Sequence, residues 1–353
     1  MRIRVSTAIE LASELFRALG APPATATRVA TSLVLADQRD TPTHGLALLP
    51  LYAELIDEGL IDPASTPEAT SLGGAITRVD GRRAFGQLTA ALAVEHCLRA
   101  LPEHGIAAAG IVDGTHLGRL GEWAELACER DAIFLAFTNT GGGARNVAGP
   151  GSASRVLSTN PIAVGVPACG AMDHHVIIDF AASQTSGSRI REVANAGGRL
   201  DPDWLVRDDG KATDDPEDFL AGVAALRPLG GRSAGHKGFG LMVAGELLAA
   251  LAGNLMAGER RESGFTNGAL FCLLDLNRFG ERETWAQRVG AFRDYLAAND
   301  CRLPGAGKAA DAGETLELPD HVAGGIAALA DRLGVDRRGL EAGAPGAGVT
   351  RTW

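Results

Sequence analysis

The chain has little cysteine, only five in 353 residues, and none in a C-x-x-C pair. The five lie far apart, and an odd number cannot be fully paired, so a disulfide framework is not expected. No electropositive neighbourhood around a thiol is visible in the sequence, which favours small core residues over reactive cysteines. This pattern predicts a reducing, cytoplasmic location. The cysteines are Cys97, Cys128, Cys169, Cys272 and Cys301.

The chain also lacks clustered positive charge and long apolar runs. Its 33 Lys and Arg are outnumbered by 43 Asp and Glu, giving a formal net charge of -10. A nucleic-acid surface needs clustered Lys and Arg to displace counterions from phosphates. Glu10 and Glu14 interrupt the N-terminal segment, and Glu246 interrupts the most apolar window, 243–256. We therefore expect no nucleic-acid partner, no export signal and no membrane span.

Metal-ligand motifs are missing as well. Asp173-His174-His175 is the one candidate, but successive strand residues point to opposite faces and no matching His or carboxylate motif accompanies the three. A surface turn that precedes a strand is the favoured interpretation, and no bound metal is expected.

A dinucleotide fingerprint is absent too. A predicted strand, 133–137, runs into residues 138–143 (TNTGGG), which superficially resemble a phosphate loop. Residues 145–158 contain too much Gly and Pro for the helix that such a loop requires, and no acidic residue follows in a strand about 20 residues on. A turn is favoured over a ligand loop, although its backbone amides remain candidates for phosphate contacts.

What is present indicates a large α/β protein. With 46% hydrophobic and 22% charged residues the composition is globular, and 353 residues predict two or three structural units. Residues 1–60 are helical in pattern, opened by a capping box at 7–10. Helices and short apolar strands then alternate, interrupted by a polar, turn-rich stretch at 182–219. We predict helices at 24–37, 46–60, 87–101, 120–130, 237–251, 284–298 and 321–333, and strands at 105–112, 132–138, 162–167, 176–180 and 269–276.

Three histidines lie among small residues that let a ligand approach: His44, His116 and His236. Thr43 precedes His44, and a hydroxyl beside an imidazole fits a proton donor with its own orienting partner. A capping histidine in a helix-connecting loop is the favoured alternative for the dipeptide alone. Lys237 fits an anionic phosphate at a helix start and a solvated lysine equally well.

Together these segments resemble the type-2 malate/L-lactate dehydrogenase family, which includes ureidoglycolate and sulfolactate dehydrogenases, diketogulonate reductase and piperideine-2-carboxylate reductase. The resemblance spans nearly the whole chain. It is carried by residues 36–45 (ADQRDTPTHG), 114–118 (GTHLG), 136–140 (AFTNT), 159–161 (TNP), 178–183 (IDFAAS), 228–231 (PLGG), 235–241 (GHKGFGL) and 303–305 (LPG).

The resemblance implies an α/β, non-Rossmann fold and a homodimer with sites near the subunit interface. A helical unit built from both chain ends packs on a mixed α/β cofactor domain in this family. We accordingly predict a helical domain of residues 1–70, completed by 235–265 and 280–337. Residues 71–234 with strand 269–276 form the predicted NAD(P)-binding domain, and 338–353 a flexible or partner-wrapping tail.

The resemblance also implies roles for individual residues. His44 is the implied proton donor or acceptor, with Thr43 in place of the family's serine partner. Small-molecule substrate contacts fall on Leu48, Thr159, His116 and Arg145. NAD or NADP, which the sequence does not distinguish, is held by His116, Leu117, Gly118, Arg119, Leu120, Thr140, Asp179, Phe180, Ala181, Lys237, Gly305, Ala306 and Gly307.

Leu48 is the departure that bears most on the substrate. The family normally has an arginine there, which clamps the substrate carboxylate through charge-assisted hydrogen bonds. Losing such a bond typically costs about 1.5 to 3 kcal/mol. We expect a substrate whose carboxylate is absent, masked or held by another residue, with Arg145 and Arg155 as candidates. An ordinary 2-hydroxy acid dehydrogenase and a catalytically weakened cofactor-binding relative remain the alternatives.

Two further departures concern the surroundings of the site. Arg189 stands where some family members have an acidic relay residue and others a lysine, which leaves the polarity around Thr43 open. Ala306 and Gly307 follow Pro304-Gly305 where the family commonly has glutamate.

Overall fold

The computed structural model describes residues 1–259, 266–305, 313–337 and 340. Its helices are α1 (Val5–Ala18), α2 (Pro23–Gln38), α3 (Leu49–Asp57), α4 (Gly86–His104), α5 (Leu120–Cys128), α6 (Gly187–Asn195), α7 (Pro216–Leu220), α8 (Gly231–Ala249), α9 (Arg282–Ala297) and α10 (Asp320–Leu333). Its strands are β1 (Arg2–Arg4), β2 (Glu68–Gly73), β3 (Ile76–Asp80), β4 (Ile106–Gly114), β5 (Ala132–Asn139), β6 (Val147–Ala148), β7 (Arg155–Leu157), β8 (Ile162–Val166), β9 (Val176–Phe180), β10 (Leu205–Arg207), β11 (Ala212–Thr213), β12 (Ala224–Leu226), β13 (Asn267–Asp275) and β14 (Thr315–Glu317).

A seven-stranded mixed sheet of order β2-β3-β4-β13-β5-β8-β9 organises the α/β part. Only β3 and β4 pair in parallel, whereas β13 is antiparallel to both β4 and β5. Helices α4 and α5 pack on it, and their buried residues share one core with alternate residues of β5, among them Phe134 and Ala136. The largely antiparallel order differs from a doubly wound parallel sheet, which accounts for the missing Rossmann fingerprint. The mixed α/β class predicted from the sequence is confirmed.

The two ends of the described chain share a separate helical core. Strand β1 pairs with β14, and α1, α2, α3 and α10 bury their apolar faces against each other. Phe16, Tyr52 and Phe85 are the largest side chains in this core and contact one another through their rings. Tyr52 thus links the helical core to the functional residues described below.

The domain boundaries remain a prediction. The division at residues 70 and 71 falls inside β2. Helix α8 crosses the predicted boundary between 234 and 235 and contacts β5 and β13 of the large sheet. Apart from Leu340, the predicted tail at 338–353 lies outside the described residues. Across the described part of the chain, no helix is long and apolar enough to cross a membrane.

The polar stretch 182–219 holds more regular structure than its sequence indicated. It contributes α6, α7, β10 and β11, and a five-stranded sheet of order β11-β10-β12-β6-β7 forms around a small core that includes Ile190 and Phe219. Strands of two or three residues are too short for an apolar period to reveal. This small unit forms one wall of the cavity described next.

The prediction of a capping box at residues 7–10 is wrong. Helix α1 begins at Val5, and Arg4 before it makes no side-chain cap. Pairing of β1 with β14 brings the chain straight into the helix, and the Val5 amide donates to the Glu314 carbonyl at 2.8 Å. A backbone acceptor from the other chain end therefore replaces the predicted local cap.

Candidate active site

One cavity of about 1430 Å³ lies where the helical unit, the large sheet and the small sheet meet. It exceeds the roughly 300 to 1,000 Å³ of a usual small-molecule site, so two ligands can share it. Most of the residues predicted for the site line it together: Thr43, His44, Leu48, His116, Leu117, Gly118, Arg119, Leu120, Thr140, Thr159, Asp179, Phe180, Ala181 and Gly305.

Several predicted residues lie elsewhere. Arg145 and Lys237 are exposed and are not among the residues that line the cavity, so their ligand contacts stay predictions. Arg155 is bound within the protein. Its guanidinium donates to the carbonyls of Phe219 and Ala224 and lies 4.4 Å above the Phe219 ring. Ala306 and Gly307 fall outside the described residues.

His44 lies in a short 3-10 turn, Pro42–His44, between α2 and α3. The Thr43 hydroxyl Oγ1 is 3.0 Å from His44 Nδ1, so one ring nitrogen is hydrogen-bonded within the dipeptide. A hydroxyl can donate or accept, so this contact is compatible with either neutral tautomer, and Nε2 has the role opposite to that of Nδ1. The structure thus places the hydroxyl where an orienting partner is needed.

The turn is held against α2 by Asp37. The Leu46 amide donates to Asp37 Oδ2 at 2.9 Å, and a Cβ on Gly45 would meet the same carboxylate, so a larger residue there would displace Asp37. Burial raises the pKa of Asp37 to about 6, against the lowering effect of the Leu46 hydrogen bond. Asp37 lies inside the segment that carries the resemblance, but its part in fixing the turn was not predicted.

His116 stacks on His44, with ring centroids 5.3 Å apart and planes inclined by 25°. The Tyr52 hydroxyl lies 2.7 Å from His116 Nδ1 and accepts from Gln87 Nε2 at 2.9 Å. Since Gln87 donates to the hydroxyl, the Tyr52 proton points to His116 Nδ1, and a neutral His116 carries its proton on Nε2. Sequence reasoning missed Tyr52 and Gln87, which lie far along the chain from His116.

The two imidazoles are neutral near pH 7. Burial, with a smaller contribution from the neighbouring His44, lowers the pKa of His116 to about 3. Burial also lowers the pKa of His44, with Asp179 acting to raise it and Arg119 to lower it. The lowered pKa makes neutral His44 a weaker base than an ordinary histidine and protonated His44 a stronger acid.

A buried network fixes the loop at Thr159. Asn160, in the left-handed region with φ of 34°, donates through Nδ2 to the Met242 carbonyl at 2.9 Å and to Glu246 Oε2 at 2.8 Å. The Ala182 amide donates to the Thr159 carbonyl at 2.9 Å. Glu246 stood out in the sequence only as a charge in an apolar window, and that isolated buried carboxylate was the signal that could have located the network.

The comparison with known proteins decides the family. A family profile described as Malate/L-lactate dehydrogenase matches residues 3–316. The chain belongs to this family. It is an NAD(P)-dependent oxidoreductase with the non-Rossmann fold of malate/L-lactate dehydrogenases, as the sequence predicted.

The relatives of this malate/L-lactate dehydrogenase family member carry several different names. L-sulfolactate dehydrogenase of Methanothermobacter thermautotrophicus is 27% identical over 314 residues, covering 86% of this chain and 88% of that protein. A dehydrogenase structure from Sinorhizobium meliloti is 30% identical, with a TM-score of 0.82 over 93% of this chain and 98% of that one. The delta1-piperideine-2-carboxylate reductase of Pseudomonas syringae pvar. tomato is 25% identical, with a TM-score of 0.81 over 94% and 98% of the two chains.

The lining of the cavity fits the dinucleotide that this dehydrogenase family uses. Gly305 has a φ of 92°, and a Cβ there would come within 3.1 Å of the His175 carbonyl, so the backbone leaves a close-fitting surface free of side chains. Next to it, His174 Nε2 is buried without a hydrogen-bond partner among the described residues. An orphaned ring nitrogen beside a glycine turn suits the sugar and base of a nucleotide.

Proposed function

We propose that the enzyme moves a hydride between NAD(P) and a C=O or C=N carbon, with His44 giving or taking the matching proton. The observation that carries this is the Thr43-His44 pair, stacked on His116 at the wall of a cavity large enough for cofactor and substrate. Thr159, which lines the same cavity, is the proposed substrate contact. The natural substrate is proposed to be other than a simple 2-oxo acid.

The proton chemistry follows from the two rings. When bound, NAD(P) would supply or accept the hydride. In reduction, protonated His44 gives its Nε2 proton to the substrate oxygen or nitrogen and is left neutral. In oxidation, neutral His44 accepts that proton, and the Thr43 hydroxyl holds the ring in place in both directions. Neutral His116 offers its Nε2 proton as a hydrogen-bond donor, because Tyr52 occupies Nδ1.

The pH dependence of alcohol oxidation should reflect the lowered pKa of His44. The neutral ring is the base, so kcat/KM rises with pH through a pKa below the ordinary 6.5 and is level above it. Asp179 raises that pKa, so Asp179→Asn, which keeps an acceptor for the Gly121 amide, should move the rise to lower pH. A pH profile of kcat/KM for both proteins checks this. A rise centred at or above 6.5, or one that Asp179→Asn leaves in place, contradicts the assignment.

Leu48 supports the proposal for the substrate. It is half-buried and, with Leu51, presents apolar surface to the cavity, at the position for which the resemblance implies a carboxylate-binding arginine. Neither Arg145 nor Arg155, the replacements considered from the sequence, lines the cavity. An unpaired carboxylate against two leucines loses hydration without compensation.

Leu48→Arg should therefore raise kcat/KM for a small 2-oxo acid such as pyruvate or oxaloacetate by about one to two powers of ten, the worth of a charge-assisted fork. Leu48→Met is the matched control, since it changes shape a little and adds no charge. Steady-state kinetics with the three proteins gives the answer. Fast turnover of lactate or malate by the unchanged protein, with little gain from Leu48→Arg, favours an ordinary 2-hydroxy acid dehydrogenase instead.

We also propose a cytoplasmic homodimer. Val243 and Leu247 on α8, with Leu251 just beyond it, form an exposed apolar row at intervals of four residues, and Leu251 is 71% exposed. A contiguous row of this kind suits an interface with a second copy. Free cysteines at all five positions suit a reducing compartment.

A further inference from the structure

Positive charge on the cavity wall comes from four arginines, and no lysine contributes among the described residues. Three of the four are ion-paired. Arg119 Nη2 lies 2.8 Å from Glu125 Oε2, and Arg39 Nε lies 3.0 Å from the other oxygen of the same carboxylate. Arg189 Nη1 lies 2.8 Å from Glu192 Oε2. A carboxylate therefore lies beside each of these three guanidinium groups, although Nε and Nη2 of the buried Arg119 make no hydrogen bond among the described residues.

Arg191 is the fourth, and it differs from the others. It lies half-buried on α6, and its side chain has no hydrogen bond or ion pair within residues 1–259, 266–305, 313–337 and 340. The helix is anchored beside it, since Ile190 is fully buried in the small core with Phe219. Ser188, three residues before Arg191, and Glu192, the next residue, also line the cavity. The side of α6 that carries Arg191 therefore borders the cavity.

A half-buried guanidinium without a partner is costly. Burial lowers the pKa of Arg191, and no carboxylate of the described residues acts to raise it. Charged groups removed from water are normally paired, and an arginine left over on a ligand cavity presents a planar fork for a carboxylate or sulfonate. We therefore expect the partner of the Arg191 guanidinium to be an anionic group of the ligand.

We propose that Arg191 binds the anionic group of the substrate, a carboxylate or sulfonate, in place of the arginine that Leu48 replaces. This inference rests on the proposed function and adds the residue that holds the acid group. The substrate is an acid other than a simple 2-oxo acid, with its anionic group at α6 and its apolar part against Leu48 and Leu51. The cofactor's phosphates are the other possible anion, and the experiment separates the two.

The test compares the unchanged protein with Arg191→Met, which keeps the length of the stem without the charge, and Arg191→Lys, which keeps the charge without the fork. Arg199→Met is the control, because Arg199 pairs with Asp214 and Asp215 and does not line the cavity. Oxo acids and their primary amides are assayed, NAD(P)H binding is followed by fluorescence, and malonate binding is measured by calorimetry.

Arg191→Met should raise KM for the acids at least tenfold, leave the amides and the NAD(P)H Kd unchanged, and weaken malonate binding at least tenfold, with Arg191→Lys between. A raised NAD(P)H Kd with unchanged KM for the acids overturns the inference in favour of the phosphates. If the unchanged protein turns over none of these compounds, the result counts against the proposed function. The role of Arg191 is then tested by malonate binding alone. The inference about Arg191 is overturned if malonate does not bind, or if it binds equally well to the unchanged protein and to Arg191→Met.

Discussion

His44→Ala is expected to lower kcat by about two to four powers of ten, the usual contribution of a positioned acid or base. Cofactor binding should persist, because the NAD(P) contacts are assigned to other segments of the cavity wall. His44 faces the cavity with Nδ1 engaged by Thr43 and its ring stacked on His116, so the proton path depends on this one side chain. Steady-state turnover and nicotinamide fluorescence measure the two effects separately.

His321→Ala is the matched control for this experiment. His321 is exposed on α10 and is not part of the cavity wall, so the same substitution there should leave turnover unchanged. Unchanged kcat in His44→Ala removes His44 from the mechanism. Loss of NAD(P)H binding along with activity indicates instead a structural role for the ring in the His44–His116 stack.

Glu246→Ala should lower the free energy of unfolding by about 3 kcal/mol, because it leaves buried donors without their acceptor. Glu246 accepts from Asn139 Nδ2 at 3.3 Å, from Asn160 Nδ2 at 2.8 Å and from the Ala257 amide at 2.7 Å. Asn139 and Asn160 each keep one carbonyl acceptor, which limits the loss. Activity should fall as well, since Asn160 holds the loop that carries Thr159.

Urea unfolding and steady-state kinetics measure the two consequences of Glu246→Ala. Glu95→Ala is the control: Glu95 is exposed on α4 and lies 3.7 Å from Arg99, and such surface pairs contribute at most about 1 kcal/mol. Equal stability of Glu246→Ala and Glu95→Ala contradicts the network. Lost stability with full activity of the folded fraction shows instead that the Thr159 loop does not depend on Glu246.

Long elements with a clear period could be predicted from the sequence. Helix α5 was predicted at 120–130 and runs Leu120–Cys128, and β5 was predicted at 132–138 and runs Ala132–Asn139. Strand β2 was missed because it lies at the sheet edge with little of its surface buried, so it shows no apolar alternation. The short strands of the small sheet were missed for lack of length.

The candidate site was predictable where its residues belong to contiguous motifs. Thr43, His44 and His116 were singled out, and the fold brings them to one cavity. Tyr52 and Arg191 could not be found in this way, because their importance arises from neighbours that are distant in sequence. Arg155 was considered for the substrate because a sequence does not show that backbone carbonyls will bind its guanidinium.

The central claim is that one cavity brings the nicotinamide and His44 to the same reacting group. The most direct measurement is isotope transfer: NAD(P)D labelled at the hydride position is turned over with ketones, imines and oxo acids, and the products are analysed by mass spectrometry and NMR. The account predicts deuterium on the reduced carbon of at least one product, formed at a rate that falls with kcat in His44→Ala. Firm NAD(P)H binding without deuterium transfer to any of these compounds contradicts the account and supports a protein that binds the cofactor without turning it over.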